Sequence, residues 1–176
     1  MDKFFTGLGV SLIIFGSFLV YQRNNPNRVS FAYSEEVAVT SNIIKSNVPS
    51  RILIESVGIN LPIVQSEISE NKWEVTENGV SYLTSSVIPG EIGNSIMYGH
   101  NWTNLLGNLI KVKTGDNVEI YFEDGSKKIF KITLIQEVSP DDVSILKATT
   151  DKRITLYTCS GFLDSKRFVV IGNYSI

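Results

Sequence analysis

The chain carries a single cysteine, Cys159, and a single histidine, His100. A thiol beside an imidazole is the standard pairing for an activated nucleophile, because the imidazole can take the thiol proton and later return it. Arg167 follows Cys159 by eight positions in RITLYTCSGFLDSKR, Arg153 to Arg167. Over that distance a loop can turn back, so that the next strand runs beside the first and carries a guanidinium to the thiol. Lys166, its neighbour, competes for any cationic role. Taken singly, each residue has a plainer reading: a lone Cys is commonly a small buried hydrophobe, and a lone His or Arg a structural or solvated group. One Cys also excludes an internal disulfide, and one Cys with one His cannot supply the four ligands of a structural zinc site. The chemistry expected is therefore free of metal and cofactor.

These residues need elements to aim them. Cys159 closes a strand that starts at Arg153, and alternation sets Thr155, Tyr157 and Cys159 on one face, with Leu156 and Thr158 on the other. His100 closes another strand in GNSIMYGHNW, where Gly99 is expected to let the backbone bend. Trp102 reads as packing in preference to a wall of the groove, and Thr158 as a residue that orients the strand end.

Alternation in short runs dominates the rest of the body from Arg51. Val118, Ile120 and Phe122 share one face, a turn falls near Asp124 and Gly125, and Phe130, Ile132 and Leu134 resume. Further strands are expected over 51–57, 61–65, 80–83, 94–98, 153–159 and 168–174. Helical signals are confined to a turn or two around 103–109 and around 141–148. About eight short strands with one or two short helices predict a mainly β protein, a barrel or a sandwich.

The sequence has 176 residues, 43% of them hydrophobic and 19% charged, with a net charge of −2. That is one foldable domain with an appendage, and the scattered charges give no footprint for nucleic acid. The appendage is N-terminal: FFTGLGVSLIIFGSFLVY, Phe4 to Tyr21, holds no charge and at about 1.5 Å per residue just crosses a hydrocarbon layer of about 30 Å. A retained anchor is favoured over a cleaved signal peptide, since no convincing cleavage site follows. The positive-inside comparison of Lys3 with Arg23 and Arg28 gives no orientation. The expected division is an anchor over 1–21, a tether over 22–48 rich in Asn and Ser, and a β domain over 49–176. Val37 to Val39 and Ile43 to Ile44 could form a short segment packed on that domain.

TLYTC, Thr155 to Cys159, with Arg167 behind it, resembles the sortase signature, in which Thr-Leu-any-Thr-Cys ends one strand and an Arg opens the next. ILIESVGINLPIV (52–64), GNSIMYGHN (93–101) and LIKVKTGDNVEIY (109–121) are similar to the family's opening strand pair, His segment and Gly-Asp turn. The resemblance implies a closed sortase β-barrel on the outer face of a bacterial membrane, with Cys159, His100 and Arg167 as the catalytic set. It implies cleavage of an LPXTG-like signal through a thioester, then transfer of the protein to an amine of the cell wall or of a pilin-like subunit. A thiol hydrolase on the same scaffold and a tethered β-module without catalysis are the alternatives. Some sortases hold an Asp-Pro-aromatic lid over the site; residues 22–50 lack that motif, which argues against the pilus-assembling type.

Overall fold

The computed structural model of the chain describes residues 2–23, 29–31, 47–69 and 72–175. Helix α1, Asp2–Arg23, contains a 20-residue apolar stretch, Lys3–Gln22, with a mean hydropathy of 2.0 and none of it buried. A helix that exposes Phe, Leu and Ile all round has no protein core to serve, and it fits a membrane anchor. The candidate packed segment at 37–39 and 43–44 lies outside the described residues.

Among the described residues ten strands follow: β1 (Pro49–Ile54), β2 (Ile59–Ser66), β3 (Ile68–Ser69), β4 (Lys72–Trp73), β5 (Val80–Leu83), β6 (Gly93–Gly99), β7 (Asn117–Phe122), β8 (Lys127–Val138), β9 (Lys152–Ser160) and β10 (Lys166–Tyr174). Eight of them close a barrel in the order β1-β2-β5-β6-β9-β10-β8-β7, with β7 returning to β1, while β3 and β4 form a separate small hairpin. Two neighbour pairs, β2 with β5 and β6 with β9, run parallel; the others are antiparallel. The expected mainly β barrel is the observed fold. Its helical turns are short 3-10 pieces, including Leu106–Lys111 and Val143–Leu146 where the two helical signals fell.

Alternation fills the lumen with Ile52, Ile54, Val118, Ile120, Phe130, Ile132, Ile154, Leu156 and Val170, among others. A second apolar cluster lies on the outer face of β5, β6, β9 and β10, built on Ile96, Tyr98, Tyr157, Cys159 and Val169. The two faces of β9 are those the alternation predicts, Leu156 inward and Tyr157 with Cys159 outward.

Three local expectations are corrected. Residues 55–57 leave the strand as a 3-10 turn, closed by Gly58 at φ 70°, a left-handed conformation that glycine adopts without penalty. Leu134 is 44% exposed and does not continue the face of Phe130 and Ile132. The register slips between Ile171 and Gly172 of β10, which pair with Leu134 and Ile132. Thr133 is thereby an extra residue on β8, the phase reverses, and Ile135 packs inward in place of Leu134. Gly99 does not bend the chain. It is a paired residue of β6, and a Cβ there would lie 3.2 Å from Leu106 Cδ1, so its absent side chain makes room for a core leucine.

Candidate active site

β6 and β9 are held in parallel register with Gly99 opposite Thr158, and the Thr158 hydroxyl donates to the Gly99 carbonyl at 2.8 Å. Cys159 is the next residue of β9 and His100 the residue that follows the end of β6, so they leave this pair side by side. On the other flank of β9, Cys159 lies directly opposite Arg167 of β10. The three candidates therefore stand abreast at one rim of the barrel, Cys159 on β9, Arg167 opposite it on β10 and His100 just past the end of β6. Thr158 orients the strand ends, as its position suggests.

All three are shielded from solvent: Cys159 and Arg167 are each 3% exposed and His100 7%. Burial pushes the His100 imidazole below its ordinary range, and the carboxylates of Glu77 and Asp164 pull the other way. Trp102 stacks on the imidazole with ring centroids 4.4 Å apart and planes 10° apart. It is thus both packing and a wall beside His100, where sequence reasoning favours packing alone. Lys166 carries no such contact. It is exposed and reaches Glu137 at 3.4 Å on the surface, because the residue beside Arg167 on a strand points to the opposite side.

Arg167 is clamped by main-chain carbonyls. Nη1 donates to Asp164 O and Lys166 O, each at 3.0 Å, and Nη2 donates to Ser30 O at 2.6 Å. Its Nε is buried without a partner among the described residues, as is the Tyr157 hydroxyl.

The Ser30 contact was not legible in the sequence, since it joins residues 137 apart. Three residues of the expected tether cover the site: Val29 is fully buried, Phe31 is 3% exposed, and the Phe31 ring meets Tyr157 edge-on at 4.8 Å. Val29 and Phe31 turn their side chains into the outer apolar cluster that also holds Cys159. Burying a Phe side chain gives about 1.5–3 kcal/mol, which favours the seated segment. Replacing Phe31 by Ala in the full chain is expected to raise the rate at which a bulky maleimide labels the single thiol, by about tenfold if roughly 1.4 kcal/mol of cover is lost. An unchanged labelling rate would show that residues 29–31 do not shield Cys159.

A thiol with a histidine on one flank and an arginine on the other is an arrangement that nucleophilic thiol chemistry can use. The Sortase domain profile matches residues 52–175. Sortase A of Bacillus anthracis is 31% identical over 142 residues, 78% of this chain and 64% of that protein. Sortase A of Listeria monocytogenes is 31% identical over 137 residues, 75% of this chain and 59% of that one. The crystal structure of the Listeria monocytogenes sortase A superposes with a TM-score of 0.60 at 26% identity, covering 73% of this chain and 88% of that one. The chain belongs to the sortase family, whose members are cysteine transpeptidases. It spans less than two thirds of the length of these two relatives, 64% and 59%.

Proposed function

We propose that the protein is a membrane-anchored sortase transpeptidase in which Cys159 is the nucleophile, His100 the proton-transfer partner and Arg167 the stabiliser of the reacting carbonyl. The observation that carries this reading is the register that sets His100, Cys159 and Arg167 abreast. Residues 1–21 form the anchor, 22–48 link it to the barrel, and 49–176 are the catalytic domain, facing outward from a bacterial membrane.

In the first half-reaction the Cys159 thiolate attacks the carbonyl of an LPXTG-like signal. The tetrahedral intermediate collapses when the C–N bond breaks and His100, as imidazolium, gives its proton to the leaving amine. The acyl fragment is then held as a thioester. In the second half, neutral His100 takes a proton from an incoming amine, which attacks the thioester and releases the thiolate. The amine comes from a peptidoglycan precursor or a pilin-like subunit. Ordinary pKa values near 8.5 and 6.5 would leave only about 1% of uncoupled pairs as thiolate with imidazolium at pH 7, and attraction between the two charges raises that fraction.

Arg167 already donates to a peptide carbonyl, that of Ser30. A substrate carbonyl that displaces residues 29–31 meets the same donors. Metal and cofactor take no part in this scheme.

The test is to incubate the protein with LPXTG-type peptides, with and without triglycine, and to weigh protein and products. A thioester adduct on Cys159 that resolves into an amine-linked product is expected. Hydrolysis indifferent to triglycine would make the protein a thiol hydrolase, and no adduct with any signal peptide would leave a non-catalytic module.

A further inference from the structure

The loop between Cys159 and Arg167 is held in an uncommon shape. Leu163 and Asp164 have φ of 51° and 58°, left-handed values at residues that are not glycine. Asp is among the few side chains that tolerate this region, whereas Leu does so only under restraint. Contacts at Asp164 supply restraint: its N–H donates to the Gly161 carbonyl at 3.2 Å within the loop, and two further bonds tie the loop to the site. The Asp164 carbonyl accepts from Arg167 Nη1 at 3.0 Å, and its carboxylate Oδ1 accepts from Asn101 Nδ2 at 3.1 Å. Asn101 is the residue after His100, 63 positions away from Asp164. One residue thus touches the guanidinium directly and the imidazole through its chain neighbour.

We infer that Asp164 is a positioning residue of the sortase site, a clasp that fixes Arg167 by its main chain and the His100 strand end by its side chain. The inference rests on the proposed transpeptidase reading. His100 and Cys159 leave the parallel pair side by side; beyond Gly99 the β6–β9 ladder stops, and the His100 carbonyl accepts instead from the Leu106 N–H at 3.1 Å. The Asn101–Asp164 bond bridges the rim where that ladder stops. The carboxylate has a second effect. The groups around the imidazole are the carboxylates of Glu77 and Asp164, with Cys159 on the adjacent strand and Arg167 beyond it, and both carboxylates favour the imidazolium. A proton that must be given to a leaving amine is retained more readily beside them.

The experiment compares Asp164→Asn, Asp164→Ala, Asn101→Ala and the double variant Asn101→Ala with Asp164→Ala, in the full chain in detergent. One readout is kcat and KM on one LPXTG-type peptide. The other is the pH titration of the single histidine by NMR, which needs no turnover. Asp164→Ala is expected to lower kcat about tenfold with KM within about twofold, and the double variant to be no worse, because both changes cut the same bond. Asp164→Asn keeps an acceptor oxygen and a tolerance for left-handed backbone. It should recover most of kcat while the His100 titration moves to lower pH. Wild-type kcat in Asp164→Ala, effects that multiply in the double variant, or a His100 titration unmoved in Asp164→Asn would each overturn the clasp. If Asp164→Ala does not fold, Asn101→Ala and Asp164→Asn still decide. A wild-type chain without turnover on any signal peptide would sink the transpeptidase reading, and the titration would still report on Asp164 alone.

Discussion

Replacing Cys159 by Ala is expected to abolish both the acyl adduct and turnover while leaving the barrel folded. The thiol is small and lies in the outer apolar cluster, not in the lumen, so losing its sulfur costs about 1 kcal/mol of packing and no lumen-filling contact. The chemical loss is of another order, because no other thiol exists to replace it. Nucleophile and base act as a unit, so His100→Ala should be nearly as severe, on the order of 10⁴-fold or more, and the double variant no worse than either alone. The measurements are the intact mass after incubation with a signal peptide and a thermal melt by circular dichroism. Residual turnover in Cys159→Ala would assign the chemistry elsewhere. An adduct in His100→Ala that forms at the wild-type rate would remove the imidazole from the first half-reaction.

Arg167→Lys should be almost as damaging as Arg167→Ala, although the charge is kept. The guanidinium divides its Nη atoms among the carbonyls of Asp164, Lys166 and Ser30, which lie in different directions. An ammonium on a flexible stem is a single point with a tightly held hydration shell and cannot reproduce a planar fork. Burial adds to the damage, since at 3% exposure an ammonium without a carboxylate partner is driven towards its neutral form. Loss of one preorganised oxyanion donor costs about 3 kcal/mol, on the order of a hundredfold in rate, and it should fall on kcat more than on KM. Steady-state kinetics of Arg167→Lys, Arg167→Ala and Lys166→Ala on one peptide, with folding checked, decide the matter. Full activity in Arg167→Lys would reduce the residue to a diffuse charge. Loss in Lys166→Ala would be unexpected, because that side chain faces Glu137 at the surface.

What could be read in the sequence follows from how local each signal is. The β7–β8 hairpin was legible because its alternation and its glycine lie within a few residues, and Gly125 does take φ 83°. The pairing of Cys159 with Arg167 was legible because eight residues allow little besides a return strand. The meeting of His100 with Cys159 was legible only through the sortase resemblance, since a parallel partner 59 residues on has no periodicity to mark it. The cover formed by residues 29–31 left no signal, because Val, Ser and Phe in a polar stretch look the same seated or free. The reversal of phase at Thr133 and the β3–β4 hairpin of two-residue strands were too short to stand out. Asp164 was hidden for a different reason: its role depends on a backbone angle and on Asn101, and neither is written in residue type.

The strand order also dictates when the thiol becomes part of anything. β9 and β10 come last in chain order among the described strands, yet they occupy the interior of the sheet, between β6 and β8. Until they are made, the nascent barrel is an open sheet with β6 and β8 as bare edges, and such edges pair readily with other chains. Insertion of the final two strands closes both edges at once. The same event brings Cys159 beside His100, made some sixty residues earlier, and sets Arg167 on the far side of Cys159. Pairings between segments so distant in sequence are intrinsically slow to form. Cys159, His100 and Arg167 are thus brought together by one closure, and not piece by piece as the strands are made.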